Sequence, residues 1–252
     1  MTHVNSFILS TLENGIQKVV LNKPARKNAL SVQMYKELKI LLNESAENNE
    51  VLIFVLTANG DFFSSGNDIS TPTESFSVSI DIVKEFIDTI IVYPKLLIAV
   101  VNGPAIGIAT TILGIFDIVY ASDKAYFQIP FSSLGLAAEG CSSYTFPRLL
   151  GHSKAGDMLY LGYKMNAQEA KQHGLVSKVY NHDSLEEVWN YLNKISTLSS
   201  QSILATKRLV SRWNKEILLK VNEEEIEELK KLFESPELTQ RMLNFLSRKN
   251  KL

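Results

Sequence analysis

The fold class that the sequence predicts is α/β, with strands that are mainly parallel and buried on both faces. Val51–Leu56 and Leu96–Val101 are unbroken apolar runs, and strands without polar alternation are typical of parallel sheets covered by helices. Ile80–Val92, which lies between them, has the pattern of a crossover helix. The 252 residues contain no internal repeat and no linker rich in proline or glycine, so we expect one domain over residues 1–252.

The N-terminal part predicts a β-hairpin followed by a capped helix. Phe7–Leu12 and Ile16–Leu21 are short apolar runs joined by Glu13-Asn14-Gly15, and Asn-Gly between two such runs is a strong hairpin signal. Ser31 has the position of a helix N-cap. Apolar residues then recur at helical spacing, at Met34, Leu38, Leu41, Leu42 and Ala46.

The rest of the chain predicts two more strands and then helices. Ile118–Tyr120 and Val176–Tyr180 are short apolar runs typical of strands, and from about Ser184 the apolar spacing is helical to the end. A charge run in this region favours a solvated helix face. It comprises Glu223, Glu224, Glu225 and Glu227, followed by Lys230 and Lys231.

Composition and charge exclude several classes of protein. The formal net charge of -1 gives no basic surface for nucleic acid. The single cysteine, Cys141, excludes an internal disulfide and a cysteine-based metal cluster, and the histidines stand apart from other metal ligands, so we predict no metal site. The longest apolar runs are far too short to cross a bilayer, so we predict no membrane association.

The loops after the two apolar runs are candidate sites for a negatively charged oxygen. In parallel α/β sheets the ligand lies beyond the carboxyl ends of the strands, and backbone N–H groups are unpaired where a glycine turn enters a helix. Ser64–Asp68 and Ile106–Ala109 can each supply one such N–H, and two that converge on one oxygen form an oxyanion hole. Either loop on its own is more often only a turn.

Glu139 is the candidate acid/base residue. It lies among small and apolar residues, just before a helix that we expect to begin near Gly140. Such a carboxylate is either a structural group stabilised by the helix dipole or a general base whose pKa is balanced between burial and that dipole. The local sequence alone favours the structural interpretation.

Five short segments occur in a characteristic order along nearly the whole chain: Arg26–Leu30, Phe63–Ile69, Val101–Gly107, Asp117–Asp123 and Gly174–Val176. Each is weak alone, but their order and spacing together resemble the crotonase (enoyl-CoA hydratase/isomerase) family. Pro130–Gly135 followed by Glu139–Pro147 resembles, in addition, the signature of the peroxisomal Δ3,Δ2-enoyl-CoA isomerases in that family.

The resemblance implies a fold, an assembly and a substrate. The fold would be a crotonase spiral of ββα turns at about residues 1–190, with a C-terminal helical trimerisation region at about residues 191–252. A homotrimer or a dimer of trimers is therefore expected. The substrate would be an acyl-CoA thioester, and because coenzyme A is part of that substrate, no separate cofactor is expected.

The resemblance also implies roles for individual residues. The backbone N–H groups of Asn67 and Ile108 match those that hold the thioester oxygen, and Glu139 matches the single catalytic glutamate of the peroxisomal-type isomerases. A larger set would bind the coenzyme A and acyl groups. It comprises Arg26, Ala29, Ser65, Gly66, Asp68, Ile69, Ser70, Phe131 and Leu134.

Two positions separate isomerisation from hydration. Hydratases of the family activate water with two glutamates, and the matching positions here are Thr111 and Phe131, which do not exchange protons usefully. Glu139 is therefore expected to act alone on 3-enoyl thioesters, in the β-oxidation of unsaturated fatty acids. The alternatives are another crotonase activity, such as hydration or thioester hydrolysis, and a non-catalytic acyl-CoA-binding scaffold.

The last three residues bear on location. Asn250-Lys251-Leu252 is similar to the Ser-Lys-Leu peroxisomal address but has asparagine at its first position. An ordinary solvated basic tail is the simpler interpretation of three residues alone, and the resemblance to peroxisomal isomerases favours the address. We expect a peroxisomal protein, with a cytoplasmic or mitochondrial location as the alternative.

Overall fold

A computed structural model describes residues 7–69, 74–195 and 197–249 of the chain. Its strands are β1 (Ile8–Glu13), β2 (Ile16–Leu21), β3 (Ile53–Ala58), β4 (Leu96–Val101), β5 (Ala105–Ile106), β6 (Ile118–Ser122), β7 (Tyr126–Gln128), β8 (Met165–Asn166) and β9 (Lys178–Tyr180). Its α-helices are α1 (Val32–Glu47), α2 (Glu74–Val92), α3 (Ile108–Thr111), α4 (Phe131–Leu134), α5 (Ser142–Leu150), α6 (His152–Leu159), α7 (Ala167–Gln172), α8 (Leu185–Ile195), α9 (Ser200–Arg212), α10 (Lys215–Phe233) and α11 (Pro236–Lys249).

The main sheet has six strands in the order β1-β2-β3-β4-β6-β9, and its pairs are parallel except for β1 with β2. This confirms the predicted α/β class. The predicted run Leu96–Val101 is the central strand β4, whereas the central strand β3 begins and ends two residues later than the predicted run Val51–Leu56. Every residue of β3 is buried. One face of these strands packs against α1 and α2 and the other against α8 and α9, which explains why neither strand alternates with polar residues.

The predicted hairpin and helix cap are both present. Strands β1 and β2 pair in the register Glu13↔Ile16, and Asn14 and Gly15 between them have φ of 51° and 77°, as a two-residue turn of this kind requires. The Ser31 side chain accepts a hydrogen bond from the Met34 N–H and so caps α1.

A smaller sheet positions the loop that follows β4. It has the strand order β5-β7-β8, and β5 pairs in parallel with β7 through Ala105↔Phe127. Because β5 begins a few residues after β4 and leads directly into α3, this pairing holds the loop at the carboxyl edge of the main sheet.

The C-terminal region is helical, as predicted, but one part of its charge run is not solvated. Helix α10 packs against α2, with Ile226 and Leu229 in contact with Ile80. Glu223, Glu224 and Glu227 are exposed, whereas Glu225 is only 7% exposed. The prediction of a solvated helix face is therefore wrong at Glu225, because this residue points with the apolar side of α10.

Among the helices of the described residues, none is both long enough and apolar enough to cross a bilayer. The same residues contain no group of three or more His, Cys, Asp or Glu side chains that is arranged to hold a metal ion.

Candidate active site

The two loops predicted to supply backbone N–H groups lie side by side. Ser64 forms a parallel bridge with Ala105, and the Ile106 N–H donates to the Ser64 carbonyl oxygen at 3.0 Å. Gly66 approaches the second loop so closely that a Cβ on it would lie 2.7 Å from the Ile106 carbonyl oxygen. A glycine with φ of +82° is therefore required for this contact.

The backbone N–H of Asn67 points away from Leu30, the residue with which Asn67 forms a parallel bridge. The Leu30 N–H donates to the Gly66 oxygen and the Asp68 N–H donates to the Leu30 oxygen, both at 2.9 Å. In a parallel bridge of this kind the middle residue, Asn67, directs its own N–H to the other side. That N–H has no acceptor among the described residues.

Ile108 supplies the second amide. It is the first residue of α3, after Gly107, whose φ of +60° turns the chain into the helix. The Gly107 N–H donates to the Gln128 oxygen at 2.8 Å, whereas the Ile108 N–H is without an acceptor in the described part of the chain. The prediction that each loop enters a helix is therefore correct for Ile108 and wrong for Asn67, which lies in a β-bridge and not at the first turn of a helix.

The Glu139 side chain contacts the Asn67 side chain, although the two residues are far apart in the chain. It is 6% exposed, and the Asn67 Nδ2 donates to its Oε1 at 3.3 Å. Its turn enters α5 through Gly140 and Cys141, which have φ of 71° and 61°. The predicted site residues Asn67, Ile108 and Glu139 therefore belong to one place in the fold, although they come from three separate segments.

Tyr35 determines how the Asn67 amide is oriented. It lies on α1, is 2% exposed, and its hydroxyl donates to the Asn67 Oδ1 at 2.5 Å. Burial, with the nearby Glu139 carboxylate, raises the pKa of Tyr35 well above its ordinary value, so the hydroxyl stays a donor. Because the amide oxygen accepts from Tyr35, the Nδ2 group is directed at Glu139.

Burial gives Glu139 the properties of a base near neutral pH. It raises the pKa of Glu139 to about 8; the negative charge of Glu225 adds to this rise, and the hydrogen bond from Asn67 opposes it. A carboxylate with such a pKa holds a proton more firmly than an exposed glutamate and still loses it near physiological pH. Stabilisation by the helix dipole would lower this pKa, so the raised pKa favours the general-base interpretation over the structural one.

The raised pKa predicts that Glu139→Gln stabilises the fold, increasingly so at higher pH. Between the unfolded value of 4.5 and the folded value of about 8, the unfolded state releases the proton while the folded state keeps it, so stability falls as pH rises. Glutamine has no proton to lose. We expect the variant to match the wild type near pH 4.5 and to gain about 2 kcal/mol or more by pH 8.5, roughly 4 to 8 °C in Tm.

Thermal unfolding of both proteins from pH 4.5 to 9 measures this difference. Glu224→Gln is a matched control, because it removes the same charged group from an exposed position. Equal Tm differences between wild type and Glu139→Gln at both ends of the pH range would contradict the raised pKa.

The two positions that separate hydration from isomerisation carry no usable acid or base. Thr111 is fully buried and its hydroxyl donates to the Ile108 oxygen at 3.2 Å. Phe131 is buried, and its ring lies against Gly107, where a Cβ would be 3.4 Å from the ring Cε1. Leu134, in the same short helix α4, is half-buried. An apolar ring therefore lies beside the Ile108 amide.

The predicted binding segment before α1 is joined directly to the Asn67 loop. The Ser65 N–H donates to the Lys27 oxygen at 2.9 Å, and Asp68 forms ion pairs with Lys23 at 3.2 Å and with Arg26 at 3.7 Å. Ala29 is buried and Ile69 is half-buried. Of the predicted binding residues, Ser70 lies outside the described residues.

Asn28 fixes this segment and was not predicted as a site residue. It is fully buried with φ of 52°. Its Nδ2 donates to the oxygens of Asn59 and Phe62, and its Oδ1 accepts from the Lys23 N–H, each at 2.8 Å. The signal in the sequence is an asparagine in a short loop between a strand and a helix, where a left-handed turn favours this residue type.

Comparisons with known proteins agree on one family. A sequence model described as enoyl-CoA hydratase/isomerase matches residues 11–251. Over 97% of its length the chain is 44% identical to enoyl-CoA delta isomerase 2 of Rattus norvegicus and 42% identical to the peroxisomal enoyl-CoA delta isomerase 3 of Mus musculus. It spans 64% of the rat protein and 79% of the mouse protein.

A solved structure supports the same grouping. The crystal structure of an enoyl-CoA hydratase/isomerase from Pseudoalteromonas atlantica T6c superposes with a TM-score of 0.89 at 30% identity. The match covers 96% of this chain and 98% of the bacterial chain. The similarity therefore extends over the sheet, both loops and the C-terminal helices.

Proposed function

Because the chain belongs to the enoyl-CoA hydratase/isomerase family, whose crotonase fold it shares, we propose that it is a Δ3,Δ2-enoyl-CoA isomerase. The observation that carries the proposal is the Glu139 carboxylate, held 3.3 Å from the Asn67 amide nitrogen beside two backbone N–H groups without acceptors in the described chain. The relatives named enoyl-CoA delta isomerase support the same activity.

The proposed reaction is a proton transfer from C2 to C4 of a 3-enoyl thioester. The ionised Glu139 takes the C2 proton, and the electron pair of that C–H bond delocalises into the thioester as a dienolate. The N–H groups of Asn67 and Ile108 bind the resulting oxyanion. The protonated Glu139 then donates its proton to C4, which leaves the double bond between C2 and C3 and returns Glu139 to its starting state.

One carboxylate is sufficient for this cycle, since C2 and C4 lie on the same side of a planar dienolate. Hydration needs a further group that delivers water or its proton, and neither Thr111 nor Phe131 can do so. The apolar ring of Phe131 beside Gly107 also keeps water away from the reacting carbons.

The binding, assembly and location form part of the same proposal. Arg26, Ala29, Ser65, Asp68 and Ile69 would bind the coenzyme A and pantetheine groups. Two contacts join the Asn67 loop to the segment before α1, from the Ser65 N–H to the Lys27 oxygen and between Asp68 and Arg26. A homotrimer built by the C-terminal helices stays a prediction. The peroxisomal location is supported by the name of the mouse relative; the tail residues Asn250, Lys251 and Leu252 lie outside the described residues.

The activity is tested by incubating the purified protein with trans-3-hexenoyl-CoA and following the absorbance of the conjugated 2-enoyl thioester. Formation of the conjugated 2-enoyl thioester, without its further conversion to the 3-hydroxyacyl thioester, supports isomerisation. Accumulation of 3-hydroxyacyl-CoA would support the hydratase alternative. Tight binding of acyl-CoA without any turnover would support the scaffold.

The pH dependence of kcat/KM provides a sharper test of the role of Glu139. The free enzyme must have Glu139 ionised to remove the C2 proton, and its pKa is raised to about 8. We therefore expect kcat/KM to rise about tenfold per pH unit below pH 7.5 and to level off above the pKa. Initial rates at low substrate from pH 6 to 9.5 measure the profile, and a flat profile over that range would contradict the assignment.

A further inference from the structure

Glu225 is a buried carboxylate on the C-terminal helix α10 that contacts the turn carrying Glu139. Its Oε2 accepts from the Cys141 N–H at 2.7 Å. Its Oε1 accepts from the Ser143 N–H at 2.8 Å and from the Ser143 hydroxyl at 2.5 Å. Two backbone N–H groups that a helix start leaves unpaired are thus both satisfied by one side chain from another part of the chain.

The turn that Glu225 holds has little conformational freedom. Gly140 and Cys141 both have left-handed backbone angles, with φ of 71° and 61°, and Cys141 is a residue type that rarely adopts them. On the opposite side, a Cβ on Gly140 would lie 2.6 Å from the Thr111 hydroxyl oxygen. The Glu139 carbonyl oxygen accepts from the Ser142 hydroxyl at 2.8 Å. The backbone from Glu139 to Ser143 is therefore fixed between α3 and α10.

We propose that Glu225 is a positioning residue for the isomerase reaction, which fixes the left-handed turn at Gly140 and Cys141 and so places the Glu139 carboxylate against Asn67. The inference rests on the proposed function, and it assigns a part of the site to the C-terminal helices. Glu225 does not touch the substrate atoms and acts through Glu139.

The charge of Glu225 gives this arrangement a measurable electrostatic consequence. Burial raises the pKa of Glu225, and the hydrogen bonds that its two oxygens accept from Ser143 and Cys141 oppose this rise because they favour the ionised form. After burial, the negative charge of Glu225 is the next cause of the raised pKa of Glu139. Removing that charge at constant size should therefore lower the pKa of Glu139.

The other polar groups near Glu139 and Glu225 differ in their effect on the pKa of Glu139. Asn67 donates to Glu139 and lowers its pKa, while Tyr35 donates to Asn67 and stays protonated. Behind Glu225, Asn222 donates to the Asp88 carboxylate at 2.8 Å, and Asp88 is itself paired with Lys84 at 2.7 Å. Glu225 is thus the carboxylate whose charge bears most directly on Glu139.

The variant Glu225→Gln separates positioning from simple loss of structure. Glutamine keeps the length of the side chain, removes the charge and turns an NH2 group towards one of the two N–H donors. We expect kcat to fall about 10- to 100-fold with KM for trans-3-hexenoyl-CoA changed less than threefold, because the coenzyme A contacts lie elsewhere. We also expect the rising limb of kcat/KM to move to lower pH.

Glu224→Gln is the matched control. Glu224 is the adjacent residue on α10 and carries the same charge, but it is exposed and forms an ion pair with the exposed Lys220 at 3.7 Å. We expect this variant to keep the wild-type kcat and pH profile. A shift equal to that of Glu225→Gln would mean that the net charge of the helix is responsible, which would overturn the proposal.

Ser143→Ala keeps the proposal testable if Glu225→Gln does not fold. Ser143 is exposed, so its substitution leaves the core unchanged, yet it removes the hydroxyl bond to Glu225. We expect kcat to fall about 2- to 10-fold with KM unchanged. Wild-type kcat in this variant, when Glu225→Gln cannot be measured, would count against positioning through this contact.

Titration of the Glu139 carboxyl carbon by NMR distinguishes failure of this inference from failure of the proposed function. The signal is identified by its loss in Glu139→Gln, and it reports the pKa of Glu139 whether or not the protein turns over a thioester. If the wild type is inactive but the Glu139 titration moves to lower pH in Glu225→Gln, the activity is wrong and the coupling stands. If the wild type is active and neither kcat nor the titration changes in Glu225→Gln, the coupling is wrong and the activity stands.

Discussion

Replacement of Glu139 by glutamine lowers turnover of trans-3-hexenoyl-CoA by about 10²- to 10⁴-fold, the range expected when a positioned general acid–base group is removed. Glutamine occupies the same volume and its oxygen can still accept from the Asn67 amide, which donates to Glu139 at 3.3 Å in the wild type. It cannot take the C2 proton or return one to C4. Both proton transfers of the proposed cycle are therefore lost when the carboxylate is replaced by an amide.

Binding of the thioester should survive this substitution. The groups proposed to hold the thioester oxygen are backbone N–H groups of Asn67 and Ile108, which glutamine at position 139 leaves in place. Calorimetric titration with a saturated acyl-CoA should give the same Kd for both proteins within about threefold. A variant that keeps a tenth or more of the wild-type turnover would show that Glu139 is not the base.

The α/β fold was predictable because its signals are local. Strand β4, the Asn14-Gly15 turn and the Ser31 cap each depend on a few consecutive residues, and each lies where the sequence predicts it. Strand β3 lies two residues further along the chain than its predicted apolar run. The order of the five short segments along the chain indicates the family. Neither the local patterns nor this order requires knowledge of contacts between distant segments.

The chemistry of the site depends on contacts that are not local. The Asn67 side chain reaches Glu139 across 72 residues of chain, and Tyr35 reaches Asn67 across 32. The local sequence therefore favours a structural interpretation of Glu139, since its burial comes from segments distant in the chain that the neighbouring residues do not reveal. Only the tertiary structure supplies the raised pKa.

Glu225 shows why charge patterns mislead at single residues. It stands among the exposed Glu223, Glu224 and Glu227, and a run of this kind usually marks a solvated face. Its neighbour Ile226 is buried against α2, so the apolar side of α10 begins within the run. A helix period of 3.6 residues places position 225 with positions 222 and 229, which are also buried. The helical spacing thus indicates the buried position of Glu225, which the charge run alone does not.

The substitution Gly66→Ala is expected to lower kcat/KM by about 10²- to 10³-fold, as the loss of one oxyanion donor does. Gly66 has φ of +82°, and its added Cβ would lie 2.7 Å from the Ile106 carbonyl oxygen. Because that oxygen belongs to backbone, the two loops must move apart or Gly66 must leave its left-handed conformation. Either change turns the following Asn67 N–H away from the Ile108 N–H, and it also withdraws the Asn67 side chain from Glu139.

Gly60→Ala separates this effect from strain alone, because Gly60 is matched to Gly66 in geometry. It lies in the same loop, has the same φ of +82°, and its added Cβ would also meet an atom at 2.7 Å, the Cβ of Pro24. Both variants should therefore lose stability by a similar amount, about 1 to 3 kcal/mol by chemical unfolding. Only Gly66→Ala adjoins the oxyanion donors, so Gly60→Ala should keep kcat/KM within about fivefold of the wild type. Equal losses of kcat/KM in the two variants would trace the effect to general disruption of the loop, and the Asn67 amide would then lose its assignment as an oxyanion donor.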